Sequence, residues 1–513
     1  MNKLIRHKNQ GIIFIFLIIF LSFLSFYQAF NFSFIIDDWF GLWGVFYDKS
    51  IIDYSIKRHH PIGVYEFLLL APIFSFNSVY YQLVGFVLKI IDSLIAALLI
   101  FSITKSKTAG IFSGLIFAAS PMGIGTFIRA STHYAALLIP TLCLGLYFWI
   151  SEKEKLFLYK YPVSVGFIIL TIIGSPGAGI VILPVIILWE LLNLIQIFGK
   201  DSFKNFLFKI ITLIMIILLL LWYLGPRIVD RESTLINNLY LIVNNFPEML
   251  TKFLTSIGNL LIGWIMPIAE LNNLADANLF TKIAGYSFII AIFILTPLFL
   301  RRKTQFSKIV LFLSIWVLIT FLPSWLTQSD YIERQSFTAV SHRYFAVPSI
   351  GLIGLIAYLI SFARNKYRLP LLIAVIGINL WSSNRILSWQ SVYNSNQTQK
   401  YLYDRIDQDV PKGDEKNKLF FFTGDHWIRV ALEWSGFYPI ALRRGITQRS
   451  EFSTVTNSLD QVKDLICAKD EEAFPKFKLS NLYGWDVGSG DIYNVSKEVR
   501  LIISSEKDCK FNP

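Results

Sequence analysis

Two adjacent carboxylates, Asp37 and Asp38, directly precede Trp39, just beyond the first long apolar run of the chain, Gly11 to about Phe30. A carboxylate held at a membrane–water boundary can take a proton from an acceptor group and make it a nucleophile. Further along the same inter-span segment, Lys57-Arg58-His59-His60 supplies the positive charge that a departing anionic group needs. Each feature also has an ordinary reading. Acids at a helix exit are often solvated, and short basic runs beside membranes bind lipid headgroups without specificity. Adjacent histidines rarely present both rings to one ion, so phosphate contact is favoured here over metal. An aromatic cluster after the acids, Trp39, Phe40, Trp43, Phe46 and Tyr47, suits a helix lying at the membrane interface.

Other ionisable residues fall near the ends of later apolar runs. Arg129 and His133 lie between two of them, and Glu333, Arg334, His342 and Arg343 precede another that opens at Tyr344 and Pro348. An arginine at the mouth of a helix binds phosphate well because its planar fork reaches two oxygens at once, though such an arginine can also simply snorkel. Lys89 and Asp92 stand three residues apart inside an apolar run, on one helix face, which predicts an internal pair that orders the bundle. Gly424-Asp425-His426-Trp427 follows an apolar run, Leu419 to Phe422, and reads as a turn after a strand. The chain has no Walker motif, no Gly-x-Gly-x-x-Gly after a strand, no Cys/His zinc spacing and no serine nucleophile elbow. Cys143 reads as a small core residue. Cys467 and Cys509 share a polar tail and could be bridged or free.

The elements that carry these residues follow from composition. Of 513 residues 54% are hydrophobic and only 16% charged, whereas a soluble chain carries about 25% charged residues. The apolar residues form runs of roughly the 20 residues that cross a bilayer. The net charge of +12 is spread over short loops and forms no continuous patch, which argues against nucleic acid. The chain therefore reads as a polytopic α-helical membrane protein. Spans are expected at about 11–30, 79–104, 108–127, 134–150, 161–175, 178–197, 206–225, 281–300, 307–322, 344–363 and 369–386, about eleven in all. The first is read as a retained helix that starts in the cytoplasm. The loops alternate between basic (Lys105-Ser106-Lys107, Arg301-Arg302-Lys303) and acidic (Asp37 to Asp53, Asp230 to Glu248), placing the N-terminus inside and the C-terminus outside a cytoplasmic membrane. Long outer loops are expected at about 31–78 and 226–280, the second with an interfacial or re-entrant helix from Phe253 to Ile268. The transmembrane domain is expected over 1–386, and a soluble extracytoplasmic α/β or α+β domain over 387–513.

Three stretches resemble the GT-C superfamily of integral-membrane glycosyltransferases, which includes protein O-mannosyltransferases and aminoarabinose transferases. They are Ile36-Asp37-Asp38-Trp39; Arg58-His59-His60-Pro61 running into Phe74 to Tyr81, Leu88 to Leu99 and Phe117 to Pro121; and Ser341-His342-Arg343-Tyr344-Phe345-Ala346-Val347-Pro348-Ser349. The resemblance implies a GT-C-like bundle, a sugar donor on a polyprenyl phosphate or diphosphate, and transfer on the non-cytoplasmic face to a lipid, glycan or protein acceptor. It implies Asp37 as general base with Asp38 assisting, and Arg58 and Arg343 as ligands of the donor phosphate; Lys57, His59, His60 and Arg129 are further phosphate-binding candidates by their charge and placement. No cofactor is expected beyond the lipid-linked sugar. The segment Arg129 to Tyr134 lacks the acidic pair of the metal-dependent oligosaccharyltransferases, so no metal ligands are assigned and a divalent ion stays open. The competing readings are a lipid-linked glycan polymerase or ligase, and a transporter or flippase using Lys89 and Asp92 as its path.

Overall fold

The computed structural model describes residues 2–34, 37–58, 61–151, 157–174, 179, 181–196, 209, 211–219, 222, 240–263, 274–334, 343–394, 396–423, 437–456, 482–486 and 492–493. Its helices are α1 (Asn2–Phe26), α2 (Asp37–Phe46), α3 (Lys49–Arg58), α4 (Pro61–Phe74), α5 (Ser78–Thr104), α6 (Lys107–Ala119), α7 (Gly125–Ile128), α8 (His133–Ile150), α9 (Phe157–Gly174), α10 (Ile182–Gln196), α11 (Phe246–Gly263), α12 (Leu274–Arg302), α13 (Gln305–Arg334), α14 (Ala346–Phe362), α15 (Asn365–Asn394), α16 (Asn396–Asp409) and α17 (Phe437–Arg443). Four strands lie among the described residues: β1 (Leu419–Thr423), β2 (Thr454–Thr456), β3 (Leu482–Asp486) and β4 (Ile492–Tyr493).

Six helical segments among the described residues are long and apolar enough to cross a membrane: Gln10–Asn31, Ser78–Thr104, Ala130–Ile150, Leu279–Arg302, Gln305–Pro323 and Asn365–Ser388. Four more expected spans appear as shorter apolar helices, Lys107–Ala119, Lys160–Gly174, Ile182–Gln196 and Ala346–Phe362. The expected span 206–225 lies mostly outside the described residues. The long apolar helices fit the multi-pass character expected from hydropathy, and several expected spans are shorter helices than expected. One reason is visible at 108–127. Ahead of Pro121, Ser120 is held extended (φ −73°, ψ 141°), which ends α6 at Ala119. The segment 31–78, expected as a loop, is built from α2, α3 and α4.

The chain forms two compact units, one of Met1–Phe30, Ser55–Glu66 and Tyr80–Ser388, the other of Asn31–Tyr54, Phe67–Val79 and Trp389–Pro513. In the first, the end of α6 shows how side chains satisfy a buried helix terminus. Its last carbonyls need donors, and three helices supply them. Ser25 Oγ of α1 donates to Ala118 O at 2.8 Å, Ser383 Oγ of α15 to Ala119 O at 2.8 Å, and Lys89 Nζ of α5 to Ser120 O at 3.1 Å. This corrects the expected Lys89–Asp92 pair. The lysine sits where a helix C-terminus attracts a cation, while Asp92, fully buried, makes no hydrogen bond among the described residues. Cys143 is buried and free. α11 covers Phe253 to Gly263 of the expected interfacial stretch and packs along α12.

In the second unit the strands lie in the order β2-β1-β3-β4, with β1 parallel to β2 and β3 and β4 antiparallel to β3. The expected strand Leu419 to Phe422 is β1. Tyr403, Ile406 and Val410 of α16, Phe420 of β1 and Ile440 of α17 form a common core. A second core joins α2 and α3 to α17 and its surroundings, with Trp43, Ile51, Tyr438 and Ala441 buried and Trp39, Phe40 and Phe452 packed against them.

Candidate functional site

In the second unit, Asp37 and Asp38 occupy the first turn of α2; Asp37 is exposed and Asp38 is 1% exposed. The aromatic residues that follow fix this turn. Trp39 Nε1 donates to Phe34 O at 3.0 Å, with its ring edge-on to Phe34 at 5.2 Å. Trp43 packs at a tilt against Tyr438 and edge-on against Phe452, at 5.8 and 4.6 Å between ring centres. The cluster expected to face the membrane interface thus supplies core: Trp43 is fully buried, while Phe46 and Tyr47 remain exposed.

In the first unit, the segment between α7 and α8 holds Arg129, His133 and Tyr134. Arg129 is half-buried and extended (φ −124°, ψ 121°), and its carbonyl accepts from Thr132 N at 3.0 Å and Thr132 Oγ1 at 2.9 Å. His133 is fully buried. Its Nε2 lies 3.0 Å from Phe127 O and its Nδ1 2.6 Å from Glu66 Oε1 of α4. A carbonyl can only accept, so Nε2 carries a hydrogen. Gln82 Nε2 of α5 donates to Ile128 O at 2.8 Å. Gly85 permits the close approach of α5, because a Cβ there would sit 1.8 Å from Phe127 O and 3.0 Å from His133 Nε2.

Arg343 opens the short turn before α14, and its guanidinium lies over the Tyr134 ring, 5.7 Å from the centroid, within cation–π range. The residues after it are anchored. Phe345 stacks on Phe321 at 5.1 Å, Trp316 Nε1 donates to Val347 O at 3.0 Å, and Ala346 abuts Gly123. Gly123 has φ +65°, and a Cβ there would come within 2.8 Å of Ala346. The structure therefore brings Arg343 onto the segment that carries Arg129.

Of the other expected ligands, Lys57 and Arg58 close α3 in backbone, their side chains lying outside the described residues together with His59 and His60. His342, the Gly424 to Trp427 turn, Cys467 and Cys509 are likewise outside. Glu66, Gln82 and Tyr134 were not singled out from sequence as site residues. Glu66 had a signal: it is the lone acid in the apolar helix Pro61–Phe74, and an ionisable residue in such surroundings is functional by default.

No protein-family model and no curated protein sequence matches this chain. Among solved structures, the fold is similar to the archaeal oligosaccharyltransferase AglB from Archaeoglobus fulgidus in complex with an inhibitory peptide and a dolichol-phosphate. The TM-score is 0.50 and the identity 13%, over 91% of this chain and 68% of that one. The oligosaccharyltransferase of the same organism also matches in its complex with Zn and sulfate (TM-score 0.49, 14% identity, 89% and 65%) and tethered to an acceptor peptide (0.48, 14%, 90% and 67%). The chain spans about two thirds of the length of these relatives, and at such identities the likeness is one of fold. Among the described residues no three His, Cys, Asp or Glu side chains cluster as metal ligands, and both ring nitrogens of His133 are already engaged.

Proposed function

We propose that this chain is an integral-membrane glycosyltransferase that moves a sugar from a polyprenyl-phosphate or diphosphate donor to an acceptor on the outer face of the membrane. The carrying observation is the Arg343 guanidinium over Tyr134, on the anchored segment that also bears Arg129. Two arginines on fixed backbone suit a phosphate whose charge rises as its bond to the sugar breaks. The fold likeness to a structure that holds a dolichol-phosphate supports the same reading.

In this mechanism the exposed Asp37 carboxylate takes the acceptor's proton. The acceptor oxygen or nitrogen attacks the anomeric carbon, the bond from that carbon to the phosphate oxygen breaks, and configuration inverts. The electron pair leaves with the phosphate, which Arg129 and Arg343 neutralise with Lys57, Arg58, His59 and His60 as further ligands. Asp38, buried beside Asp37 in the chain, positions its neighbour. The transporter reading loses support, because Lys89 caps α6.

Transfer from a polyprenyl-phosphate sugar by the purified chain tests this. Asp37→Asn should lower kcat by roughly 10²–10⁴, the range for a lost general base, with donor binding kept. Arg343→Ala should raise the donor KM about 10-fold or more, as expected for a charged hydrogen bond of about 1.5–3 kcal/mol. Normal turnover by the Asp37→Asn variant would sink the base assignment.

A further inference from the structure

We infer that Glu66 is a positioning residue for phosphate recognition, acting through His133 to hold the segment that presents Arg129 and Tyr134; this rests on the reading of Arg129 and Arg343 as phosphate ligands. Glu66 lies on α4, and its carboxyl is 8% exposed. One of its oxygens, Oε1, stands 2.6 Å from His133 Nδ1. Since Nε2 must carry a hydrogen to meet Phe127 O, a single further proton lies between Nδ1 and Oε1, whichever atom holds it.

The ring is therefore a brace between two backbones. One end is fixed to α4 by Glu66, and the other holds the carbonyl of Phe127, two residues before Arg129. Gln82 holds the intervening carbonyl, Ile128 O, from α5 at 2.8 Å. Tyr134 follows His133 directly, so the orientation of that ring's backbone also sets the surface on which Arg343 lies. Both polar clamps, on Phe127 O and on Ile128 O, come from buried side chains, and neither Glu66 nor Gln82 belongs to the arginines' own segments. Without Glu66, Nδ1 loses its partner and the ring is free to turn away from Phe127 O, loosening Arg129 and Tyr134 together.

The test measures binding of farnesyl phosphate, and of farnesol as its uncharged counterpart, to the full chain in detergent. Wild type should prefer the phosphate, and Arg343→Ala should lose that preference. Glu66→Ala should weaken phosphate binding about 10-fold while leaving farnesol unchanged. Glu66→Gln can donate its amide hydrogen to Nδ1 and should stay within about 3-fold of wild type. Gln82→Ala removes the second clamp and should weaken the phosphate alone, which keeps the test decisive if Glu66→Ala does not fold. Phosphate binding by Glu66→Ala equal to wild type, or a Glu66→Gln variant as weak as Glu66→Ala, overturns the positioning role while the arginine reading stands. Failure of wild type to prefer the phosphate, or an unchanged Arg343→Ala, overturns that reading and the inference with it.

Discussion

Replacing Glu415 by alanine should loosen the sheet-bearing part of the second unit more than any surface change nearby. Glu415 Oε1 accepts from Arg444 Nη1 at 2.6 Å, Lys418 Nζ at 2.8 Å and the Gly413 amide at 3.1 Å, while Ser453 Oγ donates to Oε2 at 3.3 Å. The side chains of Glu415, Lys418 and Arg444 are 6%, 5% and 1% exposed. Removing the carboxylate leaves two buried cations, and breaking such a pair from one side costs about 3–5 kcal/mol. The cations keep other acceptors: Arg444 retains Ile406 O, Val410 O and Pro411 O, and Lys418 retains Pro411 O. Those contacts place the loss near the lower end, about 3 kcal/mol. At about 1.4 kcal/mol per factor of ten, amide exchange in β1 should accelerate on the order of 100-fold where opening of this unit limits exchange. Hydrogen exchange read by mass spectrometry on the full chain in detergent would measure it. The double variant Glu415→Leu, Lys418→Met should lose less than Glu415→Ala, because it strands one cation instead of two. Exchange in β1 that changes by less than about threefold in Glu415→Ala would refute the argument that this network holds the sheet to α17.

Two further outcomes follow from the same geometry. Gly85→Ala should destabilise the first unit by roughly 1–3 kcal/mol or more, the usual cost of overpacking, since the new Cβ would meet Phe127 O at 1.8 Å; a melting temperature equal to wild type would show that α5 can yield. Burial pushes the Tyr438 hydroxyl up to about 12, with Arg449 opposing and Asp48 adding to the shift. Its folded value lies above the unfolded one near 10, so the stability it contributes is complete below pH 10 and is lost as pH rises towards 12. Late-titrating tyrosinate absorbance should fall by one residue's share in Tyr438→Phe.

How much of this was legible in the sequence varied by element. Long apolar runs gave spans such as Ser78–Thr104 and Ala130–Ile150 almost directly, because hydropathy is what a bilayer selects. The strand at Leu419 was legible for a similar reason: a short apolar run bounded by turn residues has few alternatives. The helices of 31–78 were not, since their polar and aromatic residues read equally well as loop or interfacial surface. What decided them was tertiary: Trp43 is buried by Tyr438 and Phe452, residues far along the chain. Lys89 misled for a related reason. Helical spacing correctly put it on one face with Asp92, yet the unmet carbonyl of Ser120 offered a stronger partner from another helix.

The candidate site repeats this division between residue type and placement. Arg129 and Arg343 stood out because charge is expensive near a bilayer, and type alone is enough to nominate them. Their supports are plain residues whose role exists only in three dimensions: Gly85 by having no side chain, Gln82 and Trp316 by reaching one carbonyl each, Tyr134 by offering a ring face. Such supports leave no charge signature, and each meets a residue outside its own helix. Glu66 is the intermediate case, charged and therefore visible, but interpretable only once His133 is seen to use both nitrogens. On the proposed reading, the two arginines come from stretches far apart in the sequence, and other helices help to hold them in place. Loss of function should therefore arise at positions such as Glu66 and Gly85 as readily as at the arginines themselves.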